Sequence, residues 1–208
     1  MLVIHPYDKS TRLAEAIYAD MDVRVADAAW YERGIGPLLW QTPKEEPILM
    51  IGYGDCHGLY DHRYSEVIDL NPMMVEKDPN WRERVEACVD TPHYVLRNLH
   101  AYNLRKHNGN LIGIWLIGIW PGAVEFARRN RLHGLFTDKF YFNHKDAEEY
   151  GFVTLFSYID EINYSLYRTL GKLISHHVPL YKIPQKLKDR AANRQHIFHR
   201  NFESFFCF

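Results

Sequence analysis

Cysteine is scarce in this chain: Cys56, Cys88 and Cys207 are three in 208 residues, odd in number and far apart. That excludes a disulfide framework, and no C-x-x-C pair is present to seed a zinc site. A reducing cytoplasm is the expected setting. Net charge is equally scarce, since 25 Lys and Arg stand against 26 Asp and Glu. No global field therefore exists to gather nucleic acid or an anionic membrane surface. Long apolar runs are missing too. The longest, over residues 111–120, is about half the roughly 20 residues a membrane-spanning helix needs, and it reads as a buried strand. The opening octet MLVIHPYD has neither the basic leader nor the apolar stretch of a secretory signal, so none is expected.

What is present fits an ordinary globular chain, 47 % hydrophobic and 25 % charged. Short apolar runs at 2–5, 23–26, 48–51, 111–120 and 134–136 alternate with segments of helical spacing. That rhythm predicts βαβ units around a mostly parallel sheet, an α/β three-layer sandwich. A first helix is expected after Ser10 or Thr11 as cap, with Leu13, Ala14, Ile17 and Tyr18 on one face. Residues 61–92 break the rhythm with three X-Pro steps and read as a surface excursion holding a short helix at 81–89. Helix is expected again at 93–106, stopped by Asn108-Gly109, and at 158–174, where Ile159, Ile162, Leu166, Leu170 and Leu173 share a face broadened by Tyr164 and Tyr167. His176-His177 would end that helix, where a cation complements the dipole.

The domain is expected to span 1–178, with 179–208 as a basic and aromatic tail. In the tail, Lys182, Lys186, Lys188, Arg190, Arg194 and Arg200 outnumber Asp189 and Glu203. Residues 182–200 could meet nucleic acid phosphates and bases. The simpler expectation is an amphipathic helix that packs Ile197, Phe198, Phe202 and Phe205 on the domain or on a second copy. The pentapeptide LIGIW occurs twice in succession, at 111–115 and 116–120. Five is odd, so the copies cannot present the same faces of one strand, and an extension or bulge is expected.

Chemistry concentrates in ILMIGYGDCHGLY, residues 48–60, where an apolar strand breaks into a glycine-rich turn, and in the strand end Trp120-Pro121-Gly122. Together with LIGIWPGAVEFARRNRLHGLFTDKF and DEINYSLYRTLGKLI, these segments resemble the caspase-like (clan CD) cysteine hydrolases. They are also similar to a bacterial group whose sequences run roughly GHGxxxGLF, IWCNAxxF, LKGxxxGM and a DExN helix. The resemblance covers about residues 1–175 and implies a caspase-like topology. It also implies a histidine base at one strand end and a cysteine nucleophile at the next, here occupied by Tyr53 and Pro121. A phenol of pKa about 10 is a poor base at neutral pH, and proline supplies neither nucleophile nor N–H.

The resemblance therefore implies a catalytically degenerate protein acting as an interaction or regulatory module, with a protein partner or self-association and no cofactor. Around the emptied site, Gly52, Gly54, Asp55, Trp120 and Gly122 would form the pocket. Two enzymatic alternatives stay open. Cys56 and His57 could serve as relocated nucleophile and base, although adjacent side chains diverge in extended backbone. Asp55, His57, Asp61 and His62 could hold a metal, although D-x-H-x-x-x-D-H matches no familiar ligand spacing. Gly52, Gly54 and Gly58 also follow a strand as phosphate loops do, but no helix opens immediately after them.

Overall fold

The computed structural model describes residues 1–6, 11–26, 31, 33–60, 94–116, 122–138, 140, 156–191 and 196–208. The strands are β1 (Leu2–Ile4), β2 (Arg24–Val25), β3 (Ile48–Gly52), β4 (Gly54–Asp55), β5 (Gly58–Tyr60), β6 (Tyr94–Arg97), β7 (Leu111–Trp115), β8 (Gly134–Thr137) and β9 (Phe205–Cys207). The α-helices are α1 (Gly36–Gln41), α2 (Ala101–Arg105), α3 (Ala123–Asn130), α4 (Phe156–Ser175), α5 (Ile183–Ala191) and α6 (His196–Glu203). One sheet has the order β2-β1-β3-β7-β8-β9, parallel except for β9, and β4-β5-β6 form a small antiparallel sheet.

The central strands are apolar at every position because both faces of the large sheet are covered. Successive side chains alternate between faces. Leu2, Ile4, Ile48, Met50, Leu111 and Trp115 pack with residues of α1, α2 and α3. Val3, Leu49, Ile51, Ile112, Ile114 and Leu135 pack with α4, α5 and the 3-10 helix Arg12–Ile17. The protein is thus a mixed α/β fold with helices on both faces of a mostly parallel sheet, and no described helix is long and apolar enough to cross a membrane.

Several expectations are corrected. The first helix is a single 3-10 run, and Thr11 sits at its cap without a side-chain capping bond. Its hydroxyl instead lies 2.9 Å from His5 Nε2, while His5 Nδ1 lies 2.9 Å from the Tyr18 hydroxyl. Burial pushes the Tyr18 phenol up to about 12, with Glu15 adding to the effect. Helix does not fill 93–106: Tyr94–Arg97 is a strand, because Tyr94, Val95 and Leu96 suit a pleated surface and the segment pairs with β5; a 3-10 turn follows at Asn98–His100, and α-helix begins only at Ala101. Of the two LIGIW copies, the first is β7, wholly buried, and Leu116 of the second donates its N–H to the Gly52 carbonyl (2.9 Å). Residues 117–121 lie outside the described residues, as do the excursion at 61–92 and its expected helix.

Helix α4 follows its expected stripe, with Ile159, Ile162, Leu166, Tyr167 and Leu170 buried and Leu173 partly so, but Tyr164 lies off that face and is exposed. His177 closes it in left-handed conformation (φ 53°), with the Val178 N–H reaching back to the Leu173 carbonyl. The C-terminal residues complete the sheet. Ile183, Leu187, Phe202 and Phe205 are buried in the same core as α4, and β9 runs antiparallel beside β8. Ile197 and Phe198 lie in α6, and their side chains are outside the described residues.

His107, at the end of α2, is buried and donates from Nδ1 to the Glu46 carbonyl (3.2 Å), since a carbonyl can only accept. Burial holds its pKa below the ordinary value, and burial with Arg97 does the same for His100. Between these lowered folded-state values and the unfolded value of about 6.5, the unfolded chain binds more protons. The thermal midpoint is therefore expected to be flat above about pH 6.5 and to fall as pH drops below it, with His107→Gln reducing the slope. A midpoint that rises on acidification from pH 6.5 would contradict this assignment.

Candidate functional site

Parallel strands bring the reactive residues of β3 and β7 to one edge of the sheet, because Gly52 lies directly opposite Trp115 in register. His5 follows β1 on the same edge, and Gly122 caps α3 just beyond β7. The turn after Gly52 is a hairpin. Gly54 and Asp55 pair with Leu59 and Gly58, and the Tyr60 N–H donates to the Tyr53 carbonyl (2.9 Å). Close approach explains the glycines. A Cβ on Gly58 would sit 1.8 Å from the Leu96 carbonyl oxygen, and one on Gly54 would sit 2.5 Å from the Gly58 carbonyl oxygen and 2.6 Å from Trp115 Nε1. These glycines serve chain packing, and no α-helix opens within the hairpin they build.

Asp55 organises the hairpin. One carboxylate oxygen accepts the backbone N–H of His57 (2.7 Å) and of Gly58 (3.2 Å), and the other accepts the hydroxyls of Tyr60 (3.0 Å) and Tyr94 (2.9 Å). Its backbone carbonyl accepts the Trp115 indole N–H (3.0 Å). A single residue therefore ties the turn to β5, β6 and β7. Four donors on two oxygens occupy the carboxylate with internal partners, which opposes its use as a metal ligand. Among the described residues no group of His, Cys, Asp and Glu has metal-holding geometry. Asp61 and His62 lie outside the described residues.

Tyr53, at the position the resemblance gives to histidine, is 6 % exposed and packs in the core that also holds Tyr60 and Tyr167. Tyr167 is fully buried and stacks on Phe140 at 6.1 Å, and its hydroxyl has no hydrogen-bond partner among the described residues. Burial, then the nearby Tyr53 and Asp160, push the Tyr167 phenol well above its usual range. The counterpart position, Pro121, and Trp120 beside it fall outside the described residues. Cys56 is half-buried and His57 exposed at the hairpin tip. Arg129 of α3 lies near: its guanidinium is raised first by its hydrogen bond to Glu125 (2.9 Å), then by the field of Cys56, with a smaller contribution from Asp55.

The structure thus brings together Gly52, Tyr53, Gly54, Asp55, Trp115 and the Cys56–His57 tip. Sequence reasoning missed Tyr60, Tyr94 and Trp115. The signal lay in Asp55-x-x-Gly58, where an Asx-type turn places two N–H groups on one carboxylate. A scan against family models, a search of curated proteins and a search of solved structures each return no match for this chain.

Removing the carboxylate by Asp55→Ala leaves two buried or half-buried hydroxyls and two turn amides to find other partners, and is expected to cost at least about 2 kcal/mol of unfolding free energy in urea. Gly58→Ala is expected to cost about 1 to 3 kcal/mol through overpacking against Leu96. Losses within about 0.5 kcal/mol for both variants, the range of an ordinary surface change, would refute the structural role of the turn.

Proposed function

We propose that this chain is a catalytically degenerate member of the caspase-like hydrolases, working as an interaction or regulatory module. The observation that carries the reading is the burial of Tyr53. Its side chain sits in the core at the strand end where the resemblance requires a base, so it presents no imidazole and no accessible phenol to a substrate. The parallel β3–β7 pair, with its two carboxyl ends side by side, supports the caspase-like comparison, because that mechanism needs base and nucleophile on neighbouring strand ends. A mostly parallel sheet with helices on both faces is in keeping with it.

Arg129 favours a second reading. A guanidinium near Cys56 stabilises a thiolate, and a relocated cysteine hydrolase would need one. Two features weigh against that. Arg129 is already ion-paired with Glu125, and the Asp55 carboxylate binds the backbone N–H of His57 rather than orienting its ring. The metal-assisted alternative has less behind it, since Asp55 is occupied by its own hairpin.

Alkylation of native protein across pH 5 to 9, read by mass spectrometry, separates the readings. Burial pushes the Cys207 thiol up, which makes it a slow internal comparison. The degenerate-module reading predicts that Cys56 in native protein is alkylated no faster than Cys56 in urea-unfolded chain at the same pH. Rapid reaction of Cys56 persisting below about pH 6.5, lost in Arg129→Gln, would favour the relocated cysteine instead.

A further inference from the structure

We propose that the outer face of the α1–α2–α3 layer binds single-stranded nucleic acid, with Trp40 and Tyr102 as stacking platforms. Three elements are fastened edge to edge there. Asn103 Nδ2 and Lys106 Nζ donate to the Gly36 and Trp40 carbonyls (3.5 and 2.6 Å), joining α2 to α1. Arg105 Nε and Asn108 Nδ2 donate to the Asn130 and Arg131 carbonyls (2.9 and 3.3 Å), joining α2 to the end of α3. The layer is one continuous surface whose inner side is the core beneath the sheet.

Its outer side combines two features that are rare together. Trp40 is 66 % and Tyr102 74 % exposed, and Leu99 lies one turn before Tyr102 at 70 %. Tyr102 and Lys106 are four residues apart and share a helical face, and the Lys106 ammonium lies 5.7 Å from the Trp40 ring centroid. Ring, cation and ring therefore follow one another along the surface.

Around them the described charged residues are mainly basic. Arg97, Arg105 and Lys106 flank or lie on α2, and Arg128, Arg129 and Arg131 lie at the end of α3, with Arg33 and Lys44 on either side of α1. The acids among these described segments are Glu125, already paired with Arg129, and Glu45 at the far end of the turn after α1; Glu46 beyond it is occupied by Arg24. In a chain with 25 basic and 26 acidic residues overall, bases outnumber acids in these described segments.

A polyanion answers the charge, and unpaired bases answer the exposed rings. Aromatic faces accept any base, while a cationic track holds the backbone. A duplex hides its base faces and would gain only the electrostatic part. The partner chemistry is thus a single strand read without sequence preference. The described elements that carry basic residues at 182–191 and 200 pack with the opposite face of the sheet.

The test is fluorescence anisotropy with labelled oligouridylate and oligothymidylate of about 16 nucleotides, and a duplex of equal length, at about 50 mM salt. Both single strands are expected to bind more tightly than the duplex, and whichever is tighter names the polymer. Trp40→Ala and Tyr102→Ala should each weaken binding about tenfold, with the thermal midpoint unchanged because both rings are exposed. Lys106→Gln with Arg131→Gln should lower the salt slope by about one to two. No binding at low salt would overturn the proposal. So would binding indifferent to both aromatic variants, or binding lost in Lys186→Gln with Lys188→Gln and kept in Trp40→Ala.

Discussion

The carboxylate of Asp55 holds the carboxyl edge of the sheet in its observed shape. Strand β3 emerges from a core buried on both faces, flanked by β1 and β7, and turns at once into the hairpin. The turn exposes amide groups that water or a side chain has to satisfy. Asp55 satisfies two of them, and its second oxygen collects the hydroxyls of Tyr60 and Tyr94 from two further strands. The aromatic rings then close over the strand end, 5.1 Å between centroids. Tyr53 is sealed into the core beneath, and the Cys56–His57 tip is left outside it.

The proposal of a degenerate site rests on this arrangement. Catalytic loops hold their reactive groups unspent and aimed at a common point. Here the carboxylate is spent on the fold, and the Tyr53 phenol is packed among other side chains. Such a hairpin is well suited to keep the sheet edge rigid. Exposed aromatic surface lies instead on the helical layer, at Trp40 and Tyr102.

Much of the fold was legible in the amino-acid sequence, because strands buried on both faces are written as unbroken apolar runs; β1, β3, β7 and β8 stand where those runs lie. Helix α4 was legible from its stripe. The antiparallel hairpin was not, since two- and three-residue strands such as Gly54–Asp55 and Gly58–Tyr60 are too short to carry a period. Tyr94–Arg97 was misread as helix because its strand character comes from pairing with β5, a tertiary effect. The C-terminal strand hid inside a basic, aromatic composition: Phe205 was expected to pack as part of a helix, and it is buried instead in a strand beside β8. At the site, Gly52, Asp55 and the turn were visible as residue types. Their purpose became clear only with the hydroxyls of Tyr60 and Tyr94, five and 39 positions away from Asp55 in sequence.

The central proposal, that the strand-end turn is structural and not catalytic, is met most directly by a peptidase assay. A pool of fluorogenic peptides covering all residues before the scissile bond would be incubated with the intact chain and with its Cys56→Ala variant. The account predicts that the two rates are equal and indistinguishable from buffer. Hydrolysis by the intact chain that disappears in Cys56→Ala would contradict it and make the hairpin tip an active site.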